Sequence, residues 1–167
     1  MEPPEQVQPT SLADYFEVLT KAVFQSGMSW KVVEAKWPGF RAAFHEFDPA
    51  AVAAFSPDDI DGLCADPRII RNRRKVEATV INAAAMLAVD HEYGGFAKYL
   101  RAHGGFDAAA ADLKKRFKFV GDLAAYYLLY VVGEPVPPHE EWMASRGVAM
   151  ERRRPPSTPS LPRPRGR

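Results

Sequence analysis

A capping side chain followed at once by proline occurs twice in close succession, at Asp48-Pro49 and Ser56-Pro57, and this punctuation does most to restrict the fold. The side-chain oxygen accepts from a free N–H of the first turn, and proline at the first helical position has its φ already set and no N–H to leave unbonded. Two short helices are therefore expected at about 49–55 and 57–65. Ser11-x-x-Asp14 is a related capping pattern ahead of Tyr15, Leu19, Ala22 and Ser26, which predicts a helix from about 12 to 25 ended by Gly27. Ser29 is placed to cap a helix starting at Trp30, and Pro38 suits the first turn of a third helix carrying Phe40, Phe44 and Phe47. From Asn72 to about Ala88, Val76, Val80, Ala83 and Leu87 fall on one helical face. Further helices are expected around 96–102, from Asp107 through Lys115 and from Asp122 to Val132, with a last short piece around Trp142. No segment sustains strict alternation with β-branched enrichment, so the expected class is all-α.

The 167 residues are enough for one domain with an ordinary core, and 47% apolar with 26% charged residues is the balance of a soluble globular chain. The absence of a long apolar run or a charged-then-apolar leader gives a cytoplasmic, non-membrane expectation. Cys64 is the single cysteine, and His45, His91, His103 and His139 are scattered with no pair at i, i+4, so no metal site and no cofactor are expected. The organisation reads as a flexible N-terminus over 1–10, a helical domain over 11–147 and a disordered basic Pro/Arg-rich tail over 148–167. Within that tail, residues 151–167 hold six arginines against Glu151, which gives +5 and leaves −4 on the remaining 150 residues.

The densest chemistry lies in "CADPRIIRNRRKVEATVINAA", where Arg68, Arg71, Arg73, Arg74 and Lys75 crowd the start of a helix. Helix N-termini offer free N–H groups to anions, so cations gathered there point to phosphate, against the alternative of a solvated basic face. A second basic run, Lys114, Lys115, Arg116 and Lys118, precedes the helix at Asp122, and reads either as another phosphate-contacting edge or as a basic loop around a buried Phe117 or Phe119. Tyr126, Tyr127 and Tyr130 recur at helical spacing and read as core.

The order of "FEVL…FQSGMSW", "FRAAFHEFDPAAVAAF", "IIRNRRKVEATVINA" and "LKKRFKFVG" resembles the DNA-3-methyladenine glycosylase I family of the helix-hairpin-helix glycosylase superfamily, over about residues 15 to 133. The resemblance implies a helix-hairpin-helix DNA glycosylase-like domain, with the hairpin near 57–90. Such an enzyme acts in base-excision repair: it binds duplex DNA, takes an alkylated base out of the stack and cleaves its N-glycosidic bond. A cationic base such as N3-methyladenine stacks well on an aromatic face and is already a good leaving group. Trp30 matches the family's pocket tryptophan, with Gln25 and Ser29 beside it, and the alternative for Trp30 is a core position. The phosphate set is then Arg68, Arg71, Arg73, Arg74, Lys75, Lys114, Lys115 and Lys118, and the expected state is a monomer.

The departures from the family pattern bear on activity. Aligning on Gln25, Gly27, Ser29 and Trp30 puts Ala22 and Val23 where the pattern has a base-contacting glutamate and a glycine, so no catalytic residue is assigned. Glu17, five positions earlier, is expected to project about 140° away from Ala22 at ~100° per residue. The family's zinc-binding Cys and His residues have no counterparts here beyond His139, and Arg68 stands where the hairpin has glycine. Two further readings therefore stay open: a non-catalytic DNA-binding or damage-recognition module, and a protein-interaction domain on the same scaffold.

Overall fold

The computed structural model describes residues 3–153, with side chains as far as Arg146. Among the described residues all regular structure is helical. In chain order the helices are α1 (Leu12–Gln25), α2 (Trp30–Ala43), α3 (Pro49–Ala53), α4 (Pro57–Cys64), α5 (Arg73–Tyr93), α6 (Phe96–Arg101), α7 (Phe106–Arg116), α8 (Asp122–Val131) and α9 (His139–Arg153), with one 3-10 turn at His45–Phe47. The expected caps are present where the motif was complete. Ser56 and Asp59 bond reciprocally at the start of α4, and Asp48 Oδ1 accepts from Ala50 N–H; a further cap forms at α5, where Asn72 Oδ1 accepts from Lys75 N–H.

Two elements depart from the expected pattern. Ser29 stands at the N-cap of α2 but its side chain makes no capping bond, and Pro38 lies inside α2 instead of opening a third helix. An internal proline removes one i→i−4 bond. Here the helix continues across it because Val33, Trp37 and Phe40 are buried on the face that meets the core. The C-terminal end also differs: α9 runs to Arg153, so residues 148–153, expected in the tail, are helical, and the tail beyond them, 154–167, lies outside the described residues. The chain divides into two compact units, one up to Val136 and one from Pro137 onwards.

In the first unit, α5 is the central helix and packs against α1, α3, α4 and α6, while α8 packs against α1 and α7. Its buried residues include Lys75, Val76, Thr79, Asn82, Ala83, Met86 and Val89. That stripe sits about one residue round from the Val76–Val80–Ala83–Leu87 face expected from the sequence. At its start, Lys75 turns inward: the ammonium donates to Ser26 O at 2.7 Å and Phe24 O at 3.3 Å, closing off carbonyls at the end of α1. Burial lowers the Lys75 pKa below the ordinary lysine value.

The turn after α2 is left-handed at three successive residues, His45 (φ 51°), Glu46 (φ 54°) and Phe47 (φ 57°). Left-handed backbone costs ~1–2 kcal/mol per residue for side chains with a Cβ. The offsetting interaction is aromatic: Phe47 is fully buried and packs on Trp37 (5.2 Å, 8°), Phe44 (5.8 Å, 12°) and Phe16 (5.9 Å, 70°). Three such ring pairs at ~0.5–1.5 kcal/mol each, with the burial of one phenyl ring, are of the same size as the backbone cost.

Residues 3–10, expected to be a flexible N-terminus, are tied down. Gln6 Nε2 donates to Tyr130 O at 2.9 Å and Val7 N–H to Val131 O at 2.8 Å, so the segment lies along the C-terminal end of α8.

Candidate functional site

Helices α1, α2 and α8 and the N-terminal segment enclose a cavity of about 370 Å³. That volume lies within the range of about 300–1,000 Å³ typical of small-molecule sites. From α2 it takes Trp30, Glu34, Trp37 and Arg41, which at i, i+4, i+7 and i+11 form one straight stripe. From α1 it takes Glu17, Val18, Lys21, Ala22 and Gln25, and from α8 Tyr127 and Val131. Glu17 and Ala22 thus border the same cavity. Their expected angular separation holds, but the cavity spans that whole arc of α1 instead of facing Ala22 alone.

The two stripes meet through charges. Arg41 Nη1 donates to both oxygens of Glu17 at 2.9 and 2.7 Å, and Trp37 Nε1 adds a third hydrogen bond to Glu17 at 3.2 Å. Arg41 is also paired with Glu46 of the left-handed turn at 3.1 Å. Towards the other end, Lys21 Nζ lies 2.6 Å from Glu34 Oε1 and 5.4 Å from the centre of the Trp37 ring. Trp30 meets Tyr127 edge-on, with centroids 4.9 Å apart at 73°. The cavity therefore has aromatic walls crossed by two ion pairs, a surface suited to a flat heterocycle with polar edges.

Of the residues expected at the base pocket, Trp30 and Gln25 line this cavity, whereas Ser29 is exposed and is not among its lining residues. The reading missed Trp37, Glu34 and Arg41 because a helix start assigned to Pro38 cuts their stripe in two. It also took Tyr127 for core only, although this tyrosine both packs in the interior and edges the cavity.

The expected phosphate-binding cations separate into three states. Lys75 is buried on carbonyls and presents no charge to the surface, a correction to its assignment. Arg68, Arg73 and Lys114 are exposed but paired, with Asp66 at 2.8 Å, Asp61 at 2.8 Å and Asp122 at 2.6 Å. The Arg68 guanidinium holds the Asp66 carboxyl below the ordinary aspartate value. Arg71, Arg74, Lys115 and Lys118 are exposed and make no ion pair among the described residues.

Two helix-turn-helix units carry these cations. In α4–α5 the connector is covered by α2: a Cβ on Gly39 would lie 2.3 Å from Arg68 O, and Lys36 Nζ donates to Pro67 O at 3.1 Å. In α7–α8 the connector is shorter, with Phe117 and Val120 buried and Lys118, Phe119 and Gly121 exposed, and the buried Asn82 clamps it, with Oδ1 accepting from Lys118 N–H at 2.7 Å and Nδ2 donating to Lys118 O at 3.0 Å. Phe119 follows in the left-handed region at φ 58° and is exposed.

Comparison with known proteins places this arrangement. The sequence profile of the family described as methyladenine glycosylase matches residues 7–108. The chain belongs to that family. Among methyladenine glycosylase relatives, DNA-3-methyladenine glycosylase 1 of Escherichia coli (strain K12) is 32% identical over 148 residues, covering 76% of this chain and 79% of its own. A crystal structure of 3-methyladenine DNA glycosylase I superposes with a TM-score of 0.68 at 33% identity, over 76% of this chain and 81% of the other. A variant of 3-methyladenine DNA glycosylase I, solved in complex with 3-methyladenine, gives a TM-score of 0.69 at 26% identity, over 77% and 81% of the two chains.

Zinc, which the resemblance to this methyladenine glycosylase family implies, has no fitting donor set among the described residues. Among the described residues no three of His, Cys, Asp or Glu converge. Cys64 lies in α4, and His139 belongs to the separate unit from Pro137 onwards. No described helix is long and apolar enough to cross a membrane.

Proposed function

We propose that this protein is a DNA glycosylase of base-excision repair that hydrolyses the N-glycosidic bond of alkylated purines such as 3-methyladenine, acting as a monomer on duplex DNA. The observation that carries the reading is the aromatic cavity containing Trp30, Gln25, Trp37 and Tyr127 in a family whose relatives bear that activity in their names. The alkylated base leaves the stack and enters the cavity, where Trp30 offers a stacking surface and the Gln25 amide a donor and an acceptor for the base edge. The C1′–N9 bond breaks with its electron pair moving onto the base, where it neutralises the positive charge of the alkylated ring. Water forms the new C1′–O bond and releases a proton to solvent. A base that departs neutral needs no strong acid, so placement and charge complementarity carry the rate. Outside the cavity, Arg71 and Arg74 at the start of α5 and Lys115 and Lys118 at the α7–α8 turn contact phosphates, and Arg68, Arg73 and Lys114 exchange their carboxylates for phosphate oxygens.

Incubation with methylated duplex DNA, with chromatographic detection of released bases and counting of abasic sites, tests the reading. Release of 3-methyladenine that falls to background in Trp30→Ala supports it; no release above that variant ends it. Ala22, at the position of the family's glutamate, favours one second reading: a damage-recognition module that binds methylated duplex without cleaving it. Tight, salt-sensitive binding with no base released identifies that outcome.

A further inference from the structure

We infer that Lys21 is a resident cation that a positively charged base replaces, and that Glu34 is the carboxylate recognising that charge. This rests on the cavity's being a base pocket. Three carboxylates border it, Glu5, Glu17 and Glu34. Glu17 is engaged through both oxygens, which accept from Arg41 Nη1, one of them also accepting from Trp37 Nε1. Its geometry is fixed by donors that a guest would have to displace. Glu5 is exposed on the N-terminal segment, whose next residues are hydrogen-bonded to the end of α8.

Glu34 differs from both. It lies one turn after Trp30 on the same face of α2, and its side chain is 57% exposed. Among the described residues its one ion-pair partner is Lys21, through Oε1, which leaves the second oxygen with accepting capacity. The Lys21 ammonium thus sits between a carboxylate and the Trp37 ring. Opposite charge on one side and an aromatic face on the other is also the environment that an alkylated purine cation favours. Lys21 is a movable occupant: its stem is flexible, its side chain is already 28% exposed, and its ammonium regains hydration on swinging out. The methyl side chain of the adjacent Ala22 leaves the guest room at this point of the wall.

The electrostatic consequence is selective. With Lys21 in place, Glu34 is matched by Lys21, while Glu17 is held by Arg41, which also pairs with Glu46. When a cation displaces Lys21, Glu34 is exposed to the guest and its charge is matched again, whereas a neutral base offers Glu34 no charge and leaves Lys21 in place. The pocket discriminates by charge through a residue on α2, one helix away from Ala22.

Calorimetric titration with 3,9-dimethyladeninium, cationic at neutral pH, and with neutral 9-methyladenine tests the assignment. The wild type is expected to bind the cation more tightly. Glu34→Gln should weaken cation binding by about fivefold and Lys21→Met should strengthen it by about fivefold, the scale of an exposed ion pair, with binding of the neutral compound unchanged. Both side chains are partly exposed, and unchanged circular dichroism and Tm establish that the variants are folded. Equal cation affinity in Glu34→Gln and wild type, or weaker cation binding in Lys21→Met, overturns the inference while leaving the glycosylase reading to the base-release assay. Failure of both compounds to bind the wild type overturns the base pocket itself.

Discussion

Two helical glycines of this chain should respond to the same substitution with opposite signs. Ala is favoured over Gly in a helix interior by about 0.5–1 kcal/mol, so an unobstructed Gly→Ala change stabilises. Gly62 in α4 has no atom within 4 Å of a built Cβ and should show that gain. Gly39 in α2 is obstructed: the added carbon falls 2.3 Å from Arg68 O and 2.8 Å from Arg68 Cβ. Ordinary carbon contacts sit at about 3.5–4 Å, so α2 and the α4–α5 connector must part by roughly 1 Å. Because the blocking oxygen belongs to backbone, no rotamer change relieves the clash, and the cost lies towards the upper end of the ~1–3 kcal/mol typical of overpacking. Less the helix gain, Gly39→Ala should destabilise by about 2 kcal/mol, a fall of about 4–8 °C in Tm for a protein of this size. Gly62→Ala should raise Tm by about 1–4 °C. Thermal unfolding followed by circular dichroism measures both. A Gly39→Ala protein that gains stability as Gly62→Ala does would refute the close approach of α2 to the connector.

Lys75→Met should cost about 1–3 kcal/mol in urea unfolding, because carbonyls of Phe24 and Ser26 lose their donor. The same variant should leave the salt dependence of DNA binding unaltered, whereas Arg74→Ala should reduce the slope by about one; a reversed pattern would restore Lys75 to the phosphate set. Asn82→Ala should speed hydrogen exchange at the Lys118 amide, and undiminished protection there would contradict the clamp. The Asp66 carboxyl, held below its ordinary value of 3.8 by Arg68, contributes stability that is complete above that pH and is lost as pH falls through the lower folded value. Asp66→Asn should therefore flatten the acid limb of a Tm-against-pH curve, and an identical acid limb in the variant would exclude this pair as a source of acid sensitivity.

What could be read from the sequence depended on how local its cause was. Asp48-Pro49 and Ser56-Pro57 specify helix starts within a few residues, and α3 and α4 begin where those pairs place them. Pro38 has no capping side chain before it, only the proline half of that signal, and it is overridden by tertiary burial of Trp37 and Phe40, which carries α2 through it. That one misassignment hid half the cavity, since Trp30, Glu34, Trp37 and Arg41 share a face only if the helix is continuous. Lys75 was obscured differently. Among five neighbouring cations, composition does not say which turns inward, although its spacing to Thr79, Asn82 and Met86 places it on the buried stripe. Trp30 and Gln25 were legible because a glycine turn and a motif fix their place, whereas the partner of each charge in the cavity comes from another helix.

The left-handed turn at His45–Phe47 reaches further than its three residues. Glu46 holds Arg41, and Arg41 holds Glu17, so one wall of the cavity is fastened to a bend that exists only when Phe47 is seated among its aromatic neighbours. The wall is consequently ordered by folding, before any guest arrives, and the entropy of fixing those side chains is not charged to binding. Lys21 alone among the cations lining the cavity stands outside that anchorage. The rigid part of the site defines a shape, and adaptation to a ligand is concentrated in one swinging ammonium.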